Sequence, residues 1–105
     1  MEAAATSAPT TAPGNDLDRQ RAALIGRALA DPKRLSVLET LAAGEASVSE
    51  LSACAGCHVP NMSQHLAVLR SAGLVATRRE GSTVYYRLAD PKVLEAYRLI
   101  QGLAR

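Results

Sequence analysis

Apolar side chains recur every three or four positions over residues 17–30, the spacing that places them on one face of a helix. Asp31 and Pro32 interrupt this pattern, and a second stripe of the same spacing continues to Gly44. The carboxylate of Asp31 can accept hydrogen bonds from free helical amides, and proline is favoured in the first turn of a helix. The pattern therefore predicts two consecutive helices that meet at this dipeptide.

The next stretch predicts two shorter helices joined by a tight turn. Ser47 or Ser49 can cap a helix over about residues 48–55, and Gly56 can supply the left-handed residue that commonly closes one. Helical periodicity resumes over residues 60–73. Two short helices separated by a turn of about four residues are typical of a helix-turn-helix.

Beyond residue 74 the period of the pattern changes from 3.6 to 2. The runs 75–79 and 83–88 are rich in β-branched and aromatic residues, and 80–82 between them form an exposed tip. Asp90 and Pro91 repeat the start signal of the second helix. The sequence thus predicts a mainly α fold of four helices, a two-stranded hairpin and a fifth helix, which is the order of a winged helix-turn-helix.

The ends and composition of the chain suggest one domain over residues 17–105. Residues 1–16 are rich in Ala, Thr and Pro without an apolar period, and we expect a flexible N-terminal tail. The tail lacks the features of a secretory signal, and no segment resembles a membrane span, so we expect a cytoplasmic protein with no membrane partner. The chain has no Phe or Trp, and its core must therefore be aliphatic.

The apolar stripe of the predicted last helix is wider than the core of one small domain requires. Ala96 and Leu99 extend it beyond the residues that a single core would cover. A second copy of the chain is the natural cover for such a face. We therefore expect a homodimer held by the first and last helices, with contacts from the following residues: Leu24, Tyr97, Leu99 and Ile100.

Charge adds a weak indication of a polyanionic partner. All twelve Lys and Arg lie beyond residue 16 with only eight of the ten Asp and Glu, which leaves +4 on residues 17–105. The chain has two His and two Cys and no cluster of acidic residues. These residues do not supply a nucleophile, a base and an orienting group together, so we do not expect an enzyme. A winged-helix module that binds proteins instead of DNA is the alternative to a DNA-binding regulator.

Three segments of the chain, in this order, resemble segments of one known protein family. They read ALADPKRLSVLETL, SQHLAVLRSAGLV and RREGSTVYYRLADPKV, and each resembles a segment of the ArsR/SmtB repressors, dimeric bacterial regulators that respond to metals and stress. The resemblance covers about residues 24–103. It implies a transcriptional repressor that binds double-stranded operator DNA and is released by a signal.

The resemblance also implies which residues contact DNA. The fourth helix becomes the recognition helix in the major groove, with Asn61, Ser63 and Gln64 as candidates for base edges, although Asn61 and Ser63 could also serve local turns. His65 is expected to be packed or to face a phosphate. The remaining candidates for contact with phosphates, the minor groove or DNA more generally are His58, Arg70, Arg78, Arg79, Ser82 and Thr83, with the minor groove open to the three arginines.

The chain departs from the family's best-known metal sites. Residues 45–49 read EASVS where arsenic and cadmium sensors carry E-L-C-V-C, and the last helix lacks the His of zinc and nickel sensors. What remains is Cys54, Cys57 and His58, in the turn of the helix-turn-helix. Three interpretations stay open: packed structural cysteines, a reversible thiol redox pair, or an S, S, N ligand set for zinc, nickel or arsenite.

Overall fold

The computed structural model describes residues 15–105 of the chain. Five helices and three strands follow one another in that range. They are α1 (Asp16–Ala28), α2 (Pro32–Ala42), β1 (Ala46–Ser47), α3 (Val48–Ala55), α4 (Val59–Ser71), β2 (Val75–Glu80), β3 (Thr83–Leu88) and α5 (Pro91–Leu103). The winged helix-turn-helix predicted from the sequence is confirmed.

The helices begin where the capping signals place them. Asp31 accepts hydrogen bonds from the amides of Lys33 and Arg34 at 2.8 and 3.2 Å, and Asp90 does the same for Lys92 at 2.8 Å. At α3 the cap is Ser47, whose hydroxyl accepts from the Glu50 amide at 3.2 Å while the Glu50 carboxylate accepts from the Ser47 amide at 2.8 Å. This reciprocal capping box fixes the start of the helix-turn-helix.

Helix α1 begins earlier than the sequence pattern indicates. Asp16 is its first residue, and the Asn15 side chain caps it by accepting from the Asp18 amide at 2.8 Å. The predicted tail over residues 1–16 is therefore too long by at least its last two residues. The rest of that prediction, residues 1–14, lies outside the described residues.

A short strand that the sequence pattern does not reveal joins the hairpin to the helices. β1 pairs antiparallel with β3 through Ala46 with Tyr86 and Ser47 with Tyr85, so the sheet has the order β1-β3-β2. Two residues are too few to show an alternating pattern, which is why the sequence predicts two strands instead of three. The hairpin, hereafter the wing (residues 75–88), is thereby anchored beside the start of α3.

The core lies between α2, α3, α4 and the base of the wing. It is aliphatic, as the composition requires, and its most completely buried side chains are Val37, Leu38, Leu51, Met62, Leu66 and Leu69. Tyr86 packs against this core from β3, whereas Tyr85 lies on the opposite face of the wing. No helix within residues 15–105 is long and apolar enough to cross a membrane.

Candidate nucleic-acid interface

Helix α4 turns one face to the core and leaves the other free. Its buried face consists of Met62, Leu66 and Leu69. At 100° per residue, Gln64 lies on roughly the opposite side. The exposed side chains Asn61, Ser63, Gln64 and Arg70 make no hydrogen bond to any other group within residues 15–105. This face therefore presents donors and acceptors that no group in the described part of the chain occupies.

An open groove separates α4 from the wing. It encloses about 440 Å³ and is lined by Ser63, Ala67, Arg70, Ser71 and Tyr86. The sequence pattern indicates Ser63 and Arg70 but not Ser71 or Tyr86. Ser71 and Tyr86 line the groove because the wing lies beside α4, and no local pattern encodes that distance.

The two arginines of β2 differ in their surroundings. Arg78 donates from Nε to the Glu45 carboxylate at 2.7 Å and from Nη1 to Glu80 Oε1 at 2.9 Å. Arg79 is exposed and has no ion pair or hydrogen bond among the described residues. The sequence makes both arginines candidates for DNA contact, but of these two only Arg79 offers a positive charge that is unpaired within residues 15–105.

The tip of the wing carries the two predicted hydroxyl residues. Ser82 is exposed and Thr83 half-buried, and Gly81 before them adopts φ 63°, a conformation that glycine takes without steric cost. Both hydroxyl residues line an open cleft of about 520 Å³, and Ser47 and Ser49 at the start of α3 line its other side. The wing tip and α3 thus form a second polar surface beside the groove.

His65 is half-buried where α4 meets the junction of α1 and α2. Arg34 donates from Nη1 to His65 Nδ1 at 3.3 Å, so this nitrogen acts as the acceptor and the ring proton is assigned to Nε2. The same guanidinium donates to the carbonyl oxygens of Ala28 at 2.7 Å and Arg27 at 3.0 Å, at the end of α1. These contacts favour the packed interpretation of His65.

Asp31 completes this junction. Partial burial alone would raise the pKa of its carboxyl, but the backbone amides of Arg34 and Lys33, followed by the nearby His65 and Arg34 side chains, hold that pKa below its ordinary value. The carboxylate therefore stays ionised at neutral pH. It caps α2 and orients Arg34 towards α4.

The two thiols lie at the end of α3 and in the turn before α4, in different surroundings. Cys54 is exposed on the last turn of α3, while Cys57 is half-buried against the core and its amide donates to the Ser52 carbonyl at 3.0 Å. His58 is exposed and caps α4 without any side-chain hydrogen bond. Residues 15–105 contain no group of three or more His, Cys, Asp or Glu placed to hold a metal, and the ligand set of Cys54, Cys57 and His58 stays a prediction.

The predicted dimer residues separate into two classes. Leu24, Leu99 and Ile100 are exposed, Leu99 to 74%. Tyr97 is only 7% exposed, and its hydroxyl donates to Glu39 at 2.5 Å inside the protomer, so it has little surface left for the predicted dimer contact. Two further exposed leucines that the sequence analysis does not name are Leu17 and Leu103.

Comparison with known proteins agrees with this architecture. Residues 29–78 match the family model described as a helix-turn-helix domain. The chain is 49% identical over 81 residues to the biofilm growth-associated repressor of Agrobacterium fabrum, covering 77% of this chain and 67% of that protein. It is 40% identical over 78 residues to the probable mercury resistance operon repressor of Streptomyces lividans, covering 74% and 62%.

A solved structure matches most of the chain. The solution structure of a homodimeric winged helix-turn-helix DNA-binding domain from Mycobacterium bovis, described as a possible ArsR-family regulator, aligns with a TM-score of 0.80 at 36% identity, covering 93% of this chain and 90% of that one. Eight curated relatives are matched over only 36% to 67% of their own length. On fold, motifs and these identities together, the chain belongs to the ArsR/SmtB family of winged helix-turn-helix transcriptional regulators.

Proposed function

We propose that this chain represses transcription by binding double-stranded operator DNA, with α4 in the major groove and the wing against the adjacent backbone. The observation that carries this proposal is the free polar face of α4, whose Asn61, Gln64 and Arg70 have no partner within residues 15–105. Side chains without partners lose no protein contact when they bind a base or a phosphate. The opposite face of α4 is buried, which holds the helix rigidly for that purpose.

The roles within this surface follow from position and chemistry. Gln64, opposite the buried face, is the residue we assign to a base edge, since an amide can make two hydrogen bonds to adenine. Ser63 and Arg70 line the groove between α4 and the wing, where a DNA strand would bring its phosphates. Arg79 supplies unpaired charge from the wing. Asn61, His58, Ser82 and Thr83 border this surface as secondary contacts.

The experiment compares two matched variants on selected and random DNA. Duplexes retained by the purified protein are sequenced, and the affinity of wild type, Gln64→Ala and Arg79→Ala is then measured over a range of salt. Gln64→Ala should cost about 1–3 kcal/mol on the selected site and relax one base position, while Arg79→Ala should weaken all sequences and lower the salt slope by about one. Equal losses on selected and random DNA for Gln64→Ala would remove its assignment to base reading.

We further propose a symmetric homodimer formed by α1 and α5. The exposed leucines Leu24 and Leu99 lie on these helices, and the matched Mycobacterium bovis domain is homodimeric. A second copy would bury this apolar surface and place two recognition helices on one duplex. Leu99→Glu should shift the sedimentation coefficient towards that of a monomer and weaken operator binding, and a wild type that is monomeric at micromolar concentration would contradict the assignment.

The signal that releases the operator is proposed to act on the thiols of the turn. Cys54 is accessible and Cys57 lies three residues before Pro60 at the start of α4, so modification there would displace the recognition helix. Because the Cys54 thiol is exposed and open to modification, we favour a thiol-modifying signal and keep a metal ion as the alternative. A change of about 5- to 150-fold in operator affinity would be typical of such coupling.

This proposal is tested with wild type and the Cys54→Ser, Cys57→Ser double variant. Operator affinity is measured for each protein after reduction, after oxidation with hydrogen peroxide, and with zinc, nickel or arsenite added. Oxidation should weaken wild type only. An equal response of both proteins would place the sensor elsewhere, and a response to metal alone would favour the ligand-set interpretation.

A further inference from the structure

Arg78 is enclosed by three side chains on the outer face of the wing. Its Nε lies 2.7 and 3.0 Å from the two carboxylate oxygens of Glu45, and its Nη1 lies 2.9 Å from Glu80. The guanidinium carbon stands 4.7 Å from the centroid of the Tyr85 ring, its partner across the strands. A planar guanidinium that donates at its edge and stacks on its face has little freedom to reorient.

The charges of this cluster do not favour contact with DNA. One arginine between two carboxylates leaves a net charge of −1, and the hydrogen bonds that Arg78 donates to Glu80 and Glu45 raise the pKa of Arg78. A phosphate approaching Arg78 would have to displace a carboxylate that already occupies its donors. The neighbouring Arg79 points to the other face of β2 and has no such competitor within residues 15–105.

Glu45 connects the Arg78 cluster to the helix-turn-helix. It directly precedes β1, which leads without a break into α3 of the helix-turn-helix. The backbone ladder between β1 and β3 attaches the nearer strand of the wing to this segment, and the ion pair from Glu45 to Arg78 attaches the farther strand, β2. Two attachments on different strands restrict rotation of the wing about either one.

We propose that Arg78 is a positioning residue that sets the angle of the wing relative to the helix-turn-helix through Glu45, and that it does not contact phosphate. This inference rests on the proposed DNA binding. In the complex, Arg78 then determines where Arg79 and the wing tip meet the DNA backbone. Glu45, in a segment with no DNA role of its own, becomes part of the binding machinery.

Four variants test the assignment: Arg78→Ala, Glu45→Gln, their double variant and Arg78→Lys, with Arg79→Ala as the matched control. Arg78→Ala and Glu45→Gln should each weaken operator binding by about two- to fivefold, the range of an exposed ion pair, with the salt slope unchanged. The double variant should be no weaker than either single variant. Arg78→Lys should fail to restore affinity, because an ammonium cannot bridge both carboxylates and stack on Tyr85 in the same way.

The opposite pattern overturns the proposal. If Arg78→Ala lowers the salt slope by about one as Arg79→Ala does, if Arg78→Lys restores binding, or if Glu45→Gln raises affinity for all DNA, Arg78 is a phosphate contact that Glu45 restrains.

A second measurement is independent of DNA and therefore of the proposed function. Hydrogen exchange of the β2 and β3 amides in the free protein should be faster in Arg78→Ala and Glu45→Gln than in Arg79→Ala. Unchanged exchange in the first two variants would show that the cluster does not hold the wing. Absence of salt-dependent binding of wild type to any duplex would instead remove the proposed function.

Discussion

Helix α4 and the wing form the two sides of the candidate interface, yet different forces hold them. Met62, Leu66 and Leu69 fix α4 by burial in the aliphatic core. The wing projects from the core, and beyond Val75 its outer end depends on backbone pairing, the turn at Gly81 and the ion pairs of Arg78. Apolar burial changes little with salt or pH, whereas exposed ion pairs weaken as salt rises.

This difference suggests a division of roles. Helix α4, which we propose reads bases, is held by apolar contacts, and its exposed polar side chains have no partner within residues 15–105. The wing, which we propose meets the DNA backbone, uses the charge of Arg78 to hold its own shape. We therefore expect mutations at the base of α4 to affect the whole fold and mutations in the wing to have local effects.

The largest expected effect tests the anchoring of α4. Leu66 is fully buried, so Leu66→Ala should lower the free energy of unfolding by about 2–5 kcal/mol through lost burial and a residual cavity. Chemical denaturation followed by circular dichroism measures this change. Val68→Ala, on the exposed side of the same helix, is the control and should change stability by no more than about 0.5 kcal/mol. Equal losses would contradict the view that the buried stripe anchors α4.

A smaller effect is expected at the wing tip. Gly81 has φ 63°, and an alanine there adopts a left-handed conformation at a cost of about 1–2 kcal/mol. Gly81→Ala should therefore lower stability by that amount, while Ser82→Ala at the next position should have little effect. Thermal unfolding of both variants gives the comparison. A Gly81→Ala variant as stable as wild type would mean that the tip relaxes freely and does not fix the hairpin.

The smallest effect concerns the polar junction behind α4. Asp31→Ala removes the cap of α2 and should cost about 1 kcal/mol at neutral pH. Because the pKa of Asp31 is lowered in the folded protein, its contribution is present above the ordinary carboxyl pKa of about 4 and is lost as the pH falls through the folded value. The difference between wild type and variant should thus shrink below about pH 4. A difference that is the same at pH 3 and pH 7 would exclude the carboxylate as its source.

Local signals were sufficient for much of the fold. Asp31, Ser47 and Asp90 cap the helices that follow them, and Gly56 closes α3 in the left-handed conformation, φ 62°. Each of these features depends on residues within about four positions, so a sequence pattern reveals it. The bounds of α3, Val48–Ala55, agree with the prediction for the same reason.

Features that depend on distant partners could not be predicted in this way. Arg78 and Arg79 look alike in sequence, and only the approach of Glu45, 33 residues earlier, distinguishes them. Tyr97 lies within an apolar stripe of α5, but its hydroxyl donates a hydrogen bond to Glu39, 58 residues earlier, and the side chain is buried within the protomer. The free face of α4 was indicated by periodicity, whereas its groove with the wing required the tertiary structure.

The guanidinium of Arg34 spans two surfaces that are otherwise separate. It holds the carbonyl end of α1, a helix of the proposed dimer face, and it also contacts His65 on α4. The end of α1 therefore cannot shift without moving or breaking a contact to α4. In the proposed dimer, a change in how the two copies pair is transmitted by this one side chain to α4. The spacing of the two α4 helices and the orientation of each are then linked.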